Sequence, residues 1–272
     1  MSFHYKVGFI GAGNMSQAII RGLIETKTLT ADKIVCSNRT PGKLQKLTEQ
    51  FGIQTRPTNE QVIDDCDVVI LAMKPQDLAT AVGSIASSFR EKQVVISLAA
   101  GITFEKLEKQ LPQCRLVRVI PNTPAVIQKG VTGYISNDDD EGAESMAEDL
   151  FSPLGYVIKV DDEEQLEALM VCCSSGVGFL FEFMMYFQDW IEERGFPEDV
   201  AKKMVIDTFV GASVLATQNK ELPLEELQNK VASKKGVTAA GLESMRELEI
   251  ERLLRYSFEK ACLRNQELAK QN

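Results

Sequence analysis

The chain has 272 residues, 44% of them hydrophobic and 25% charged, with a formal net charge of -9. That length and composition describe a globular protein with room for two domains and exclude a disordered or low-complexity chain. The acidic balance excludes a general nucleic-acid binder, which needs a basic face to displace phosphate counterions, so an anionic ligand must be held by local donors.

A strand is predicted over Lys6–Ile10; apolar strand-like residues begin by Tyr5 and leave no room for a signal or transit peptide, so a cytoplasmic location is expected. The pattern then predicts a helix over Asn14–Glu25, a strand over Ile34–Ser37 and a helix from about Gly42. Further strands are predicted at Val68–Leu71, Val94–Ser97, Leu116–Ile120, Val131–Ile135 and Tyr156–Val160, with helical segments between the earlier ones. That alternation implies an α/β fold with a mainly parallel sheet covered on both faces, a Rossmann-type domain over residues 1–160.

From residue 161 onward the chain becomes long amphipathic helical stretches, interrupted at Gly195-Phe196-Pro197 and across Asn219–Pro223. Residues 161–272 are therefore expected to form an all-helical domain. Leu166–Trp190 is apolar enough to suggest a membrane helix, but it carries Glu167, Glu182, Gln188 and Asp189. A helix buried in a domain or dimer core fits better, and no membrane partner is expected. The six cysteines (36, 66, 114, 172, 173 and 262) form no CxxC pair and no metal-type spacing, so they are expected to be reduced small hydrophobes, with no metal site.

The stretch GFIGAGNMSQAI, residues 8–19, places two glycines between a strand and a helix. In that setting Gly11 makes the tight turn, Gly13 lets the backbone approach a pyrophosphate, and Ala12, Asn14 and Met15 line the approach to the helix N-terminus. The third position of the fingerprint is Ser16, small enough for close packing. A preference for NAD usually requires Asp or Glu at the end of the second strand, whereas this chain reads Ser37-Asn38-Arg39-Thr40. An arginine there favours a 2'-phosphate, so NADPH (NADP+) is the expected cofactor, with NADH second.

Four segments in register resemble the pyrroline-5-carboxylate reductase family: Gly11–Met15, Ala72-Met73-Lys74-Pro75-Gln76, Ser97–Thr103 and Arg118–Ala125. The resemblance implies NAD(P)H-dependent reduction of 1-pyrroline-5-carboxylate to L-proline. It implies that Ala72, Met73, Lys74, Pro75, Ala99, Ala100, Gly101, Asn122 and Thr123 lie at the cofactor. In the helical half, Val231-Ala-Ser233-Lys-Lys-Gly236-Val237-Thr238 is similar to the family's V-T-S-P-G-G-T-T signature, whose amides and hydroxyls hold the substrate carboxylate. Ser233, Gly236, Val237 and Thr238 are the corresponding substrate residues, and Thr238 is the expected catalytic residue, hydrogen-bonded to the ring nitrogen. A serine and a threonine flanking a glycine turn that opens a helix also suit an anion on physical grounds.

Lys234-Lys235 replaces the usual Pro-Gly, making the loop more basic and less rigid, and Cys173–Phe179 lacks the Pro and Tyr of the family's S-G-S-G-P-A-Y segment. The single histidine, His4, rules out the usual histidine general base, and imine reduction does not require one. Two other functions stay open at this level. One is a reductase of the β-hydroxyacid dehydrogenase group, although Glu182 stands where that group carries its catalytic lysine; the other is a cofactor-binding sensor that has lost the reaction. The resemblance further implies a homodimer formed through the helical domain, with a homodecamer as a higher assembly.

Overall fold

The computed structural model describes residues 4–137 and 142–271; the side chains of residues 75, 76, 79 and 271 lie outside those described. The alternating half folds as β1 (Val7–Ile10), α1 (Asn14–Glu25), β2 (Ile34–Ser37), α2 (Pro41–Phe51), β3 (Gln54–Thr55), α3 (Asn59–Asp65), β4 (Val68–Leu71), α4 (Pro75–Ile85), β5 (Val94–Ser97), α5 (Phe104–Gln110), β6 (Arg115–Ile120), β7 (Gly130–Ser136), α6 (Gly142–Phe151) and β8 (Gly155–Lys159). The strands form one sheet in the order β3-β2-β1-β4-β5-β6-β7-β8. Neighbours pair in parallel except β6 with β7. Residues 121–129 connect that pair through a 3-10 turn, Thr123–Ile127, which is shorter than the roughly dozen residues a parallel crossover needs.

The uninterrupted β-branched runs follow from burial on both faces. Val7 and Phe9 enter one apolar cluster with Ile20 and Leu23 of α1, whereas Ile10 enters a second with Val62 and Leu78 from α3 and α4. Each such side chain contributes about 1.5–3 kcal/mol on leaving water. From β1 the chain runs outward to β3 and returns to β4 on the other side, so the strand order reverses between β1 and β4. The crevice at such a reversal, outside the carboxyl ends of the strands, is where open α/β sheets bind ligands.

The remainder is helical: α7 (Glu163–Leu169), a π-helical segment (Met170–Ser175), α8 (Gly176–Glu192), α9 (Glu198–Gln218), α10 (Leu224–Val231), α11 (Val237–Glu247) and α12 (Ile250–Gln271). The two interruptions expected from Gly195-Phe196-Pro197 and Asn219–Pro223 fall between α8 and α9 and between α9 and α10. The chain separates into two compact units, one running to Ser175 and taking back the segment from Ala261, the other Gly176–Lys260. The division at 160/161 drawn from sequence marks where strands give way to helices. The compact units divide later because α7 and the π segment pack on the sheet, with Leu166 and Val171 fully buried.

In the unit Gly176–Lys260, α8 and α9 pack through an edge-to-face pair, Phe187 with Phe209 at 5.4 Å, and Phe179 meets Phe258 at 5.7 Å. The helical backbone from Glu163 to Glu192 is long and apolar enough to cross a membrane by length and composition, and only 11% of its most apolar window is buried within one chain. Phe181, Met185, Tyr186 and Trp190 are all about half exposed or more. The buried helix expected from sequence is thus not buried by its own chain.

Candidate active site

Gly11 has φ +111, and a Cβ there would lie 2.7 Å from the Ala72 carbonyl oxygen of the neighbouring strand end, so both conformation and space require glycine. Its N–H donates to the Ser37 carbonyl at 2.9 Å. Ser16 is fully buried, and its hydroxyl donates back to the Gly11 carbonyl at 2.7 Å. The Ala12 N–H donates to Asn38 Oδ1 at 3.0 Å, and Gln17 Nε2 to the Ala12 carbonyl at 3.0 Å. The turn is therefore anchored before the helix begins.

Gly13 is the N-cap of α1, with no side-chain cap and no acidic residue in the first turn. A Cβ on Gly13 would meet nothing within 4 Å. The first helical bond runs from the Gln17 N–H to the Gly13 carbonyl, so the N–H groups of Asn14, Met15 and Ser16 precede it at the positive end of the helix dipole. Open space beside a glycine in front of an uncapped helix fits a pyrophosphate.

β1, β2, β4, β5 and β6 run in parallel, so the loops after them gather on one edge of the sheet. Arg39, after β2, is almost wholly exposed, and its only ion pair among the described residues is a long one, 3.9 Å to Asp77 in the first turn of α4. Asn38 turns inward, donating through Nδ2 to the Thr40 carbonyl at 3.0 Å while holding Ala12 through Oδ1. After β4, Ala72 and Met73 are half-buried and Lys74 is the exposed N-cap of α4; the side chain of Pro75 lies outside the described residues. After β5, Ala99 is buried, Ala100 half-buried, and Gly101 buried at φ +70.

Asn122, after β6, is 5% exposed and spends both side-chain ends on the protein itself. Its Oδ1 accepts from the Val131 N–H at 2.9 Å, and its Nδ2 donates to the Cys173 carbonyl of the π segment at 3.0 Å. Ser174 Oγ donates to the Pro121 carbonyl at 3.0 Å, so the loop is fixed to that segment from both sides. Of this loop's two expected cofactor residues, Thr123 is exposed and Asn122 offers its backbone.

In the other unit, the bend between α10 and α11 places Lys235 at φ +59, and the Gly236 N–H donates to the Ser233 carbonyl at 2.9 Å. Where the family pattern has glycine, this lysine adopts a left-handed backbone, at a cost of roughly 1–2 kcal/mol. Gly236 caps α11 without a side-chain bond, no acidic residue follows in the first turn, and Ser233, Val237 and Thr238 are exposed. The N–H groups of Val237 and Thr238 precede the first helical bond, from Ala240 to Gly236. Glu182 lies exposed on α8 and accepts from the Tyr186 hydroxyl at 2.6 Å, so no lysine amine stands there.

Arg118 opens the Arg118–Ala125 segment, but the sequence assigned it no role of its own. It is 4% exposed in the middle of β6, pairs with Glu163 at the start of α7, and keeps a buried Nε without a partner. Burial pulls its guanidinium below the usual pKa, and Glu163 opposes that. The signal was an arginine inside the apolar run RLVRVI.

A glycine turn and an uncapped helix at the reversal of a mostly parallel sheet define a dinucleotide-binding protein of the Rossmann type. Residues 6–101 match the family described as NADP oxidoreductase, coenzyme F420-dependent, and residues 163–268 match pyrroline-5-carboxylate reductase dimerisation. The chain is 32% identical to the pyrroline-5-carboxylate reductase of Pseudomonas aeruginosa, over 98% of this chain and 97% of that one. A Coxiella burnetii pyrroline-5-carboxylate reductase superposes with a TM-score of 0.89 at 30% identity, covering 98% and 99% of the two chains. The Plasmodium falciparum enzyme, solved with NADP bound, shares the fold at a TM-score of 0.86 and 21% identity, covering 99% and 100%. The chain belongs to the pyrroline-5-carboxylate reductase family, and its reaction is the NAD(P)H-dependent reduction of 1-pyrroline-5-carboxylate to L-proline.

Proposed function

We propose that the enzyme uses NADPH in preference to NADH, and that the bend at Ser233–Thr238 seats the carboxylate of the cyclic imine. The nucleotide supplies a hydride when bound; every other task falls to the chain. The N–H groups of Asn14, Met15 and Ser16 receive the pyrophosphate, and Asn38 holds the glycine turn at the right height by fixing Ala12. Arg39 is free to swing its forked donors onto a 2'-phosphate, because its contact with Asp77 is long and solvated. Lys74, Ala99, Ala100 and Thr123 line the nicotinamide end, with Asn122 as the brace of its loop.

At the bend, the Val237 and Thr238 N–H groups and the Ser233 hydroxyl bind the carboxylate, while the Thr238 hydroxyl donates to the ring nitrogen as it takes up its proton. The single observation that carries this reading is the uncapped N-terminus of α11 at Gly236, flanked by two hydroxyl side chains and by no acidic residue in its first turn. Removing a positioned proton donor typically costs 10²–10⁴ in rate. Thr238→Ala should therefore lower kcat with pyrroline-5-carboxylate by about 10² or more, leave the NADPH Kd within twofold, and recover in Thr238→Ser. An unchanged kcat overturns the assignment.

We further propose that α8 and α9 make the homodimer, with the decamer as its higher assembly, since a unit in which only Gly176, Ala201 and Val205 are buried needs a second chain to cover its apolar face. The same covering replaces a membrane for the Glu163–Glu192 helix. Six free thiols, Cys36, Cys66 and Cys114 among them buried, suit the reducing cytoplasm.

A further inference from the structure

The C-terminal part of α12 belongs to the sheet unit, and it packs on the loop after β5. Leu268 lies over Gly101: a Cβ at that glycine would stand 3.2 Å from the Leu268 Cβ and 3.6 Å from the Ala269 backbone nitrogen. One turn into α5, Lys106 Nζ donates to the Ala269 carbonyl near the negative end of the α12 dipole. On the other flank, Asn265 Nδ2 and Gln266 Nε2 donate to the two carboxylate oxygens of Glu167, each at 3.0 Å. The contact face is regular, with residues 261, 262, 265, 268 and 269 at least half-buried on one side of the helix.

The same loop is held a second time. Glu163 accepts from the Phe104 N–H at 2.6 Å and also pairs with the buried Arg118, so the segment from Ala99 to Phe104 is gripped between α7 and α12. Gly101 keeps a left-handed φ of +70 where the helix covers it. The side on which a Cβ would project from this glycine is thus occupied by helix packing.

We infer that the last two turns of α12 are a positioning clamp for the Ala99–Gly101 loop, with Leu268 as the positioning residue, so that NADPH affinity depends on a helix end that does not touch the nucleotide. The inference rests on the reading of that loop as part of the nicotinamide site. A loop already ordered loses less conformational freedom on binding, so loosening the clamp weakens binding while the chemistry of the bound state survives.

The test uses the full-length enzyme, Leu268→Ala, Leu268→Met as the conservative rescue, and a chain ended after Arg264. Each is measured for KM of NADPH, KM of pyrroline-5-carboxylate, kcat, melting temperature, and amide hydrogen exchange at 99–104 with and without NADPH. Leu268→Ala and the shortened chain should raise KM for NADPH about tenfold and speed exchange at 99–104, with kcat and the imine KM within threefold, and Leu268→Met should restore the parent values. If NADPH slows exchange at 99–104 in the parent while Leu268→Ala matches the parent in exchange and KM, the clamp falls and the cofactor reading stands. If NADPH leaves exchange there unchanged in the parent, the cofactor reading falls and the clamp with it. A parallel loss of kcat, both KM values and melting temperature in Leu268→Ala, with exchange raised throughout the sheet unit, marks ordinary structural support and also overturns the inference.

Discussion

Gly13 and Gly11 stand two residues apart, and the structure sets opposite demands on them. Gly13 has φ -74 and ψ 178, which any residue adopts, and its Cβ direction is open for 4 Å. Gly13→Val should leave stability within about 0.5 kcal/mol, the range of a surface substitution away from special features. The added isopropyl group in the space beside the helix N-terminus should nonetheless push a pyrophosphate off the Asn14 and Met15 amides. Losing about two such charge-assisted hydrogen bonds, at roughly 1.5–3 kcal/mol each, corresponds to at least a hundredfold weaker NADPH binding. Gly11→Ala differs because φ +111 strains an alanine by about 1–3 kcal/mol and its methyl also meets the Ala72 carbonyl at 2.7 Å. It should lower the melting temperature by several degrees, at about 2–4 °C per kcal/mol for a chain of this size. Thermal melting and NADPH fluorescence titration read the two effects separately. A Gly13→Val protein that binds NADPH within threefold of the parent refutes the placement of the phosphates.

Three further substitutions probe charge. Arg39→Ala should raise KM for NADPH about tenfold and leave KM for NADH within twofold, as steady-state assays with both nucleotides will read, because only the 2'-phosphate needs the guanidinium. Glu163→Ala leaves Arg118 charged in a site where it is 4% exposed and should cost about 3 kcal/mol, the low end for breaking a buried pair since Glu163 itself is partly solvated. Arg118→Met, which removes the charge and keeps the volume, should cost clearly less in the same denaturant titration. Equal losses would mean that packing, not an orphaned charge, dominates there.

Much of the fold was legible because its signals are local. Strands buried on both faces read as unbroken apolar runs, so Ile34–Ser37, Val68–Leu71 and Val94–Ser97 match the sequence expectation to the residue. The two-residue β3 escaped notice because Gln54-Thr55 has no apolar pattern, and it exists only through its pairing with Val35 and Cys36. The antiparallel β7 and the compactness boundary at Ser175 depend on connection length and on the packing of α7, which periodicity does not encode. At the site, the glycine loop was readable from its spacing. The inward turn of Asn38 and the double tether of Asn122 were not, because a side-chain amide reads the same in sequence whether it faces a ligand or its own backbone. Ser16 shows the intermediate case: its small size was evident, while its bond to the Gly11 carbonyl required the turn to be in place. The Lys235 backbone is the converse, since the side chain departs from the family pattern while its positive φ is a conformation that favours glycine, the residue the pattern has there.

The most direct measurement is a crystal structure of the full assembly with NADP+ and L-proline bound. The expected result places the proline carboxylate on the Val237 and Thr238 N–H groups and the Ser233 hydroxyl, the ring nitrogen within reach of the Thr238 hydroxyl, and the ring carbon that accepts hydride about 3–3.5 Å from the nicotinamide C4. A proline carboxylate bound elsewhere, with the Ser233–Thr238 bend facing solvent at every nicotinamide in the assembly, contradicts it.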